Sequence, residues 1–118
     1  MPELFAVIPV SDYAKARTWY EQLFGGDPAF EAHETECVWK VSEEGHVAVN
    51  EDGERAGRTS LTIFAEDLDA VVDEIEGRGI EPATRETYAN GVRKVTFRDA
   101  DGNEIGFGGE PLATAGGR

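Results

Sequence analysis

The chain has few of the features that would place it in a membrane or in a disulfide framework. No apolar run approaches the roughly 18 residues that a membrane span needs, and no basic segment precedes the apolar residues at the N-terminus, as a signal peptide would require. Cys37 is the single cysteine, which is typical of a reducing compartment. It alternates with Trp39 and Val41, which predicts a small buried side chain and not a reactive thiol. We therefore expect a cytoplasmic protein.

Basic residues are also scarce. The chain has 11 lysines and arginines against 24 aspartates and glutamates, and its net charge is -13. Such a charge repels phosphate backbones and anionic lipid headgroups, so neither nucleic acid nor a membrane surface is an expected partner. The acidity would attract a cationic ligand, and it would equally keep a solvated surface soluble in a salty environment. The sequence leaves both interpretations open.

The residues that are present follow one pattern twice. Alternating apolar residues predict a strand, an aspartate at an N-cap position precedes a helical apolar stripe that ends at paired glycines, and a second alternation predicts a hairpin. Sliding the sequence by 55 positions, which is 63 minus 8, places Ile8 on Ile63 and Asp12 on Asp67. The predicted strand, helix and hairpin span residues 4–10, 12–26 and 37–49 in the first half and 61–65, 67–79 and 95–107 in the second.

This duplication predicts an α+β fold of two tandem βαβββ modules, near residues 3–52 and 58–109. Short segments near residues 29–32 and 81–83 would supply the extra strand of each module. Two such sheets side by side would form one curved, mostly antiparallel sheet with a concave cavity, and the helices would lie on its convex face. Residues 1–110 would then form a single domain, and residues 111–118 a flexible C-terminal tail.

Two segments carry a family resemblance. IPVSDYAKARTWYEQLFG is similar to the first strand and helix, and FRDADGNEIGF to the last hairpin, of the vicinal oxygen chelate superfamily, which includes glyoxalase I, extradiol dioxygenases, and fosfomycin and bleomycin resistance proteins. The similarity extends from about Leu4 to Gly109. It implies the glyoxalase/bleomycin resistance fold, but it does not imply one function, because the same frame serves lyases, isomerases, dioxygenases and drug-sequestering proteins.

The resemblance also implies where a metal ion would be bound. The metalloenzymes of the superfamily bind a divalent ion with one side chain from the first and one from the last strand of each repeat. Those positions hold Phe5, Ala48, Ser60 and Gly106 in this chain. Three of these residues have no lone pair to offer, and a neutral serine is a poor ligand beside imidazole or carboxylate. A register shift at the last strand would present Glu104 instead.

Other polar residues are assigned to the surface and to turns. His33 and His46, predicted in a loop and at a hairpin turn, are expected to be solvated. Asp99, Asp101 and Asn103 resemble a calcium loop superficially, but the glycine and terminal glutamate spacing of such a loop is missing, so we assign them to the turn of the last hairpin. The sequence contains neither a nucleophile elbow nor a phosphate-binding glycine loop.

The alternation of the strands predicts which residues would line the cavity. They form an apolar and aromatic surface with a few polar groups, which is typical of small-molecule sites. The aromatic rings would either offer a stacking surface to a ligand or fill the space themselves. The predicted lining residues are Phe5, Val7, Ser60, Thr62, Phe64, Thr96, Arg98, Glu104 and Gly106, with Lys40 and Asn50 as further candidates.

Three hypotheses for the function follow. The first, which the missing metal ligands favour, is a binding protein of the bleomycin resistance type, without cofactor or chemistry, whose ligand is a small molecule such as an antibiotic or an aromatic cation. The second is a metal-dependent enzyme of the glyoxalase I type (a lyase or isomerase) or a dioxygenase, in which Glu104 and one histidine bind a divalent metal ion. The third is a non-catalytic domain with a filled cavity.

We also expect a two-fold symmetric homodimer, in which exchanged strands are one arrangement. Single-domain members of the superfamily usually pair, so the resemblance implies a second copy. The first predicted strand, Leu4 to Val10, is apolar on both faces and needs a cover on each. The sequence does not identify the ligand that such a dimer would bind.

Overall fold

The chain folds into two consecutive βαβββ modules. The structure is a computed structural model that describes residues 2–111. The first module contains β1 (Leu4–Val10), α1 (Tyr13–Phe24), β2 (Phe30–His33), β3 (Glu36–Lys40) and β4 (Gly45–Glu51). The second contains β5 (Ser60–Phe64), α2 (Leu68–Gly77), β6 (Thr84–Thr87), β7 (Arg93–Arg98) and β8 (Glu104–Gly109). The predicted α+β fold is confirmed, while the predicted tail lies outside the described residues apart from Pro111.

Each module forms its own four-stranded sheet. The strand orders are β1-β4-β3-β2 and β5-β8-β7-β6. The pairs β1–β4 and β5–β8 are parallel and the other four pairs are antiparallel, so the pairing is mostly antiparallel as predicted. The parallel pairs arise because α1 and β2–β3 lie between β1 and β4 in the chain, and α2 and β6–β7 lie between β5 and β8.

In one respect the structure differs from the prediction. The two sheets are separate and open, and they do not join into one curved sheet, because β1 and β5 are edge strands that do not pair with each other. Alternation along a strand shows which residues share a face, but it does not show which strand edges meet. The expected concave cavity is therefore not enclosed by residues 2–111 of one chain.

Both helices begin where the sequence predicts. The Asp12 side chain accepts a hydrogen bond from the Lys15 N–H at 3.1 Å, and the Asp67 side chain accepts one from the Ala70 N–H at 3.1 Å. Helix α1 ends at Gly25, whose φ of 86° is left-handed and suits a glycine. Within residues 2–111, no helix has both the length and the apolar character that crossing a membrane requires. The cytoplasmic location stays a prediction.

The C-terminal ends of the two helices are held together by Arg78, which follows α2. Its guanidinium donates to the carbonyl oxygens of Gln22 and Leu23 in the last turn of α1, the latter at 2.9 Å. The Gln22 side chain donates in return to the Arg78 carbonyl oxygen at 3.2 Å. These bonds satisfy carbonyl groups that α1 cannot pair internally, so they fix the two helix ends relative to each other.

One hydrophobic core runs through both modules. Tyr20 and Leu23 of α1 and Val72 and Ile75 of α2 are buried in it. Burying one such aliphatic side chain contributes about 1.5–3 kcal/mol relative to leaving it exposed. The sheets contribute to the core with Ile8, Val10, Cys37, Trp39, Val47, Val49, Val95, Phe97, Ile105 and Phe107.

The turn between β7 and β8, residues 99–103, is organised around a buried carboxylate. The Tyr20 hydroxyl of α1 donates to Asp99 Oδ2 at 2.7 Å, and the Asn103 side-chain amide donates to the same oxygen at 2.9 Å. The backbone N–H groups of Asp101 and Asn103 donate to Asp99 Oδ1 at 3.0 and 2.9 Å. Burial, together with the charge of Asp99, raises the pKa of Tyr20 well above its ordinary value. We call residues 99–103 the Asp99 turn.

The Asp99 turn also binds the first strand of the other module. The Asn103 side chain donates to the Pro9 carbonyl oxygen at 2.8 Å and accepts from the Thr59 N–H at 3.0 Å. The Asp101 carboxylate accepts from the Ser11 N–H at 3.0 Å and from the Ser11 hydroxyl at 2.6 Å. The predicted turn is confirmed, and it connects the two modules as well as two strands.

Removing the Tyr20 hydroxyl should weaken this connection. Tyr20→Phe deletes a buried donor to a carboxylate, so we expect it to lower the free energy of unfolding by about 1.5–3 kcal/mol, measured by urea denaturation.

The matched control is Tyr88→Phe, whose exposed hydroxyl lies 3.4 Å from Glu86, and it should change stability by less than about 0.5 kcal/mol. Because the folded-state pKa of Tyr20 is raised, the wild type should also lose stability as pH rises above about 10, and Tyr20→Phe should lose less. If the wild type and Tyr20→Phe lose the same free energy of unfolding as pH rises above about 10, the role given to Tyr20 is contradicted.

Candidate functional site

Each sheet has one face that packs on the helices and one helix-free face. A Cβ atom added at Gly109 would meet the Leu68 side chain of α2 at 2.7 Å, whereas one added at Gly106 would meet Thr62 Oγ1 of β5 at 3.3 Å. Because successive residues of a strand point to opposite faces, this assignment extends along every strand. The predicted cavity residues all lie on the helix-free faces.

The helix-free face of the second sheet contains three rows that run across β7, β8 and β5, and Thr84 and Glu86 of β6 extend two of them. Seven of the nine predicted cavity residues lie in these rows, which Lys94 and Gly108 complete. The rows are Arg98, Glu104 and Ser60; Thr96, Gly106 and Thr62; and Lys94, Gly108 and Phe64.

The side chains of this face differ in their exposure and in whether they form an ion pair. Arg98 Nε lies 2.9 Å from Glu104 Oε2, so these two side chains neutralise each other. Thr96 is buried, whereas the Phe64 ring is 60% exposed although it is large and apolar. An apolar ring in water beside a flat, glycine-containing strand is a surface that a planar molecule can cover.

The helix-free face of the first sheet has the same layout, and the exposed Phe30 of β2, which pairs in register with Val38, extends its middle row. Its rows across β3, β4 and β1 are Lys40, His46 and Phe5; Val38, Ala48 and Val7; and Glu36, Asn50 and Pro9. It contains the other two predicted cavity residues, Phe5 and Val7, and both further candidates. The nine predicted residues are therefore divided between two sheets within one chain, and their part in ligand binding stays a prediction.

The expectation that His46 is a solvated turn residue is wrong. His46 lies within β4, is 9% exposed, and stacks on the Phe5 ring with 4.5 Å between ring centroids and 8° between ring planes. Its Nδ1 lies 3.4 Å from Glu3 Oε1 without a hydrogen bond of good geometry. Extending the alternation of Val47 and Val49 back by one residue would have placed His46 on the helix-free face. His33 is exposed, as expected, but it is the last residue of β2 and does not lie in the predicted loop.

Lys94 was missed for a similar reason. Its alternation with Thr96 and Arg98 places it on the helix-free face of β7. The predicted strand began at Val95, one residue too late, so Lys94 was not considered as a lining residue. The structure starts β7 at Arg93.

The residues at the four implied metal positions do not fit a bound divalent ion. Phe5 stacks on His46, Ala48 is buried between β1 and β3, and a Cβ atom at Gly106 would lie 2.6 Å from Lys94 Cε. In the part of the chain that the structure describes, no three histidine, cysteine, aspartate or glutamate side chains are grouped as a metal site requires. Glu104, the ligand of the alternative hypothesis, is already paired with Arg98.

Cys37 is placed as a structural residue. It lies on the helix side of β3 and is fully buried, as the alternation predicts. Burial raises the pKa of its thiol, so the reactive thiolate is disfavoured.

An open cleft of about 810 Å³ lies between the end of α1 and the start of α2, and Trp39, Glu66 and Glu74 line it. Two residues of the helix-free faces, Lys40 and Phe64, line it as well. The cleft is wide and open to solvent, so it does not enclose a small molecule as a binding pocket does.

The family is shown by the match of a superfamily profile. The profile of the Glyoxalase/Bleomycin resistance protein/Dioxygenase superfamily matches residues 4–107. The chain belongs to this superfamily. A solved glyoxalase/bleomycin resistance protein from Catenulispora acidiphila is 48% identical over 94% of this chain and 100% of its own, with a TM-score of 0.90. A search of the curated proteins gives no match.

More distant structures share the fold. An antibiotic-binding protein from a Streptomyces species is 22% identical over 93% of this chain and 96% of its own, with a TM-score of 0.74. A lactoylglutathione lyase from Agrobacterium tumefaciens is 20% identical over 90% of this chain and 91% of its own, with a TM-score of 0.70. At such identities the likeness shows the fold alone.

The residues at the four implied metal positions lead to a prediction about metal content. Because Phe5, Ala48 and Gly106 offer no ligand atom, we expect the protein purified without a tag to contain no stoichiometric zinc, iron, manganese or nickel by elemental analysis. One equivalent of metal that a chelator removes would instead support the enzyme hypothesis.

Proposed function

We propose that the protein binds a planar small molecule at its helix-free faces without a metal ion. In this it would resemble the bleomycin resistance proteins of its superfamily. The observation that carries the proposal is the exposure of aromatic rings on the helix-free faces. Phe5 is 46% exposed and Phe64 is 60% exposed, and neither ring belongs to the buried core.

The Phe64 ring packs beside a glycine of the neighbouring strand. A Cβ atom at Gly108 would lie 3.3 Å from Phe64 Cδ1 and 3.5 Å from Thr62 Cγ2, so a larger residue there would press on the ring. The ring therefore leans on Gly108, yet it stays 60% exposed, and the Thr62 hydroxyl lies beside the neighbouring Gly106. Planar ligands stack on such surfaces, and a few polar groups orient them.

The relatives support binding as one use of this fold and catalysis as another. One structural neighbour is an antibiotic-binding protein and another is a lactoylglutathione lyase. The residues at the metal positions favour binding, since Phe5, Ala48 and Gly106 replace the ligands that metal-dependent chemistry needs. The net charge of -13 favours a small molecule over nucleic acid or an anionic membrane surface.

A second copy of the chain would complete the site. A single open face covers one side of a ligand, whereas small-molecule sites bury about 70–90% of it. On β1, an edge strand, Leu4, Phe5 and Val7 are 71%, 46% and 48% exposed. A two-fold symmetric homodimer that sets the first sheet of one copy beside the second sheet of the other would cover both edges.

The dimer is tested by sedimentation at micromolar concentration. We expect a mass of about twice the 12.8 kDa chain for the wild type. Val7→Glu puts a charge on the exposed face of β1 and should shift the mass toward one chain.

Thr18→Glu adds the same charge on the exposed side of α1 and should leave the dimer intact. A wild-type mass near that of one chain, or equal effects of the two variants, would count against the arrangement.

Ligand binding is tested by thermal shift with a neutral flat probe, naphthalene carboxamide. At a hundred times its dissociation constant a ligand stabilises the fold by about 2.7 kcal/mol, which should raise the melting temperature by roughly 4 °C or more. Phe64→Ala removes the exposed ring and should reduce the shift.

Tyr88→Ala removes an exposed aromatic ring outside the rows of the helix-free faces and is the matched control. It should keep the shift of the wild type. If naphthalene carboxamide shifts neither the wild type nor the control, the hypothesis of a filled cavity gains instead.

A further inference from the structure

Lys94 occupies the space of a missing side chain on β8. It pairs in register with Gly108, but its side chain reaches one row further and crosses Gly106. A Cβ atom at Gly106 would lie 2.6 Å from Lys94 Cε, which is closer than such contacts allow. Neither glycine has a positive φ, so the backbone of β8 does not require glycine at these positions. The path of the Lys94 side chain, however, does require a glycine at position 106.

The ammonium group of Lys94 has no counter-ion within residues 2–111. None of the salt bridges there includes it. Its register partner on β6, Glu86, keeps its negative charge but forms no salt bridge with it, and the Glu86 carboxylate accepts a hydrogen bond from the Tyr88 hydroxyl at 3.4 Å. The other cation of the face, Arg98, is neutralised by Glu104. Among the basic side chains that residues 2–111 place on this face, Lys94 is therefore the one without an ion pair, although the Glu86 carboxylate lies beside it on β6.

Hydroxyl donors lie beside the path of Lys94. A Cβ atom at Gly106 would be 3.3 Å from Thr62 Oγ1, and Thr96 pairs in register with Gly106 from the other side. The Phe64 ring lies in the row of Lys94 itself. An ammonium group, hydroxyl groups and an aromatic ring are thus grouped around one of the implied metal positions.

We infer that Lys94 supplies by a side chain the positive charge that a metal ion would supply at this place, and that it binds a carboxylate or phenolate oxygen of the ligand. The inference rests on the proposed function, and it specifies the ligand as a flat aromatic molecule with an acidic group. The aromatic part stacks on Phe64, and the oxyanion pairs with the ammonium group while the threonine hydroxyls donate to it.

This ligand class differs from the one that the net charge favours. A net charge of -13 attracts cations from a distance, but exposed charges farther away than about 10 Å are largely screened at ordinary ionic strength. A contact between an ammonium group and an oxyanion is local and shielded from solvent on one side by the sheet, so it decides the preference of the bound ligand.

The experiment uses three naphthalenes that differ in one group: the carboxylate, the carboxamide and the carboxamidine. Dissociation constants are measured by titration calorimetry for the wild type and for Lys94→Met, which keeps most of the apolar stem. We expect the wild type to bind the carboxylate about tenfold or more tighter than the carboxamidine. Lys94→Met should lose about tenfold affinity for the carboxylate and change its affinity for the carboxamide by less than about twofold.

Two further variants separate charge from position. Lys15→Met removes the same charge from the exposed side of α1 and should leave all three affinities unchanged. Gly106→Ala keeps Lys94 but displaces it from its path, so it should weaken binding of the carboxylate and leave a cooperative unfolding transition.

Each contrary outcome has a distinct meaning. If Lys94→Met binds the carboxylate as tightly as the wild type while the carboxamide still binds, the inference is overturned and the proposed function stands. If the carboxamidine binds most tightly, the inference is overturned in favour of a cationic ligand. If none of the three binds the wild type, the proposed function is overturned and the inference falls with it.

Discussion

The buried carboxylate of Asp99 is the constraint on which the arrangement of the two modules depends. A carboxylate out of water is costly unless donors surround it, and the donors here come from α1 as well as from its own turn. Tyr20 can reach Asp99 only when α1 lies against the end of β7. The same turn then accepts from Ser11 and donates to Pro9, so a local hydrogen-bonding requirement sets the relative position of the two halves.

In this arrangement the helix-free faces contribute little to the contacts that hold the two modules together. The contacts between modules are made by the helices, the Asp99 turn and Arg78, and the large apolar side chains of the core point toward the helices. The other side carries small residues such as Gly106, Gly108 and Ala48 together with charged side chains, and the rings of Phe5, Phe30 and Phe64 are exposed on it. A protein can change such a face residue by residue without disturbing its core, which explains how one frame serves many functions.

Much of this was predictable because it depends on neighbours in the chain. Helix caps, alternation and the internal repeat are local patterns, and they predicted the elements and which residues share a face. The partner of Tyr20 lies 79 residues away, so its apolar stripe predicted burial but not the bond to Asp99. His46 was misplaced because an alternation was not extended by one residue. The crossing of Gly106 by Lys94 depends on a side-chain path that no sequence pattern contains.

The two repeats carry opposite charges at one pair of equivalent places. In one outer row of the first sheet Glu36 pairs in register with Asn50, and in the equivalent row of the second sheet Lys94 pairs with Gly108. The duplication has therefore kept the strand register while the charge at this place differs in sign, although the opposite outer row has a cation in both repeats, Lys40 and Arg98. A molecule that spans a surface made from one face of each kind meets an acid toward one end and a base toward the other. Such a molecule has one preferred orientation along the surface, even though the two modules around it are nearly symmetric.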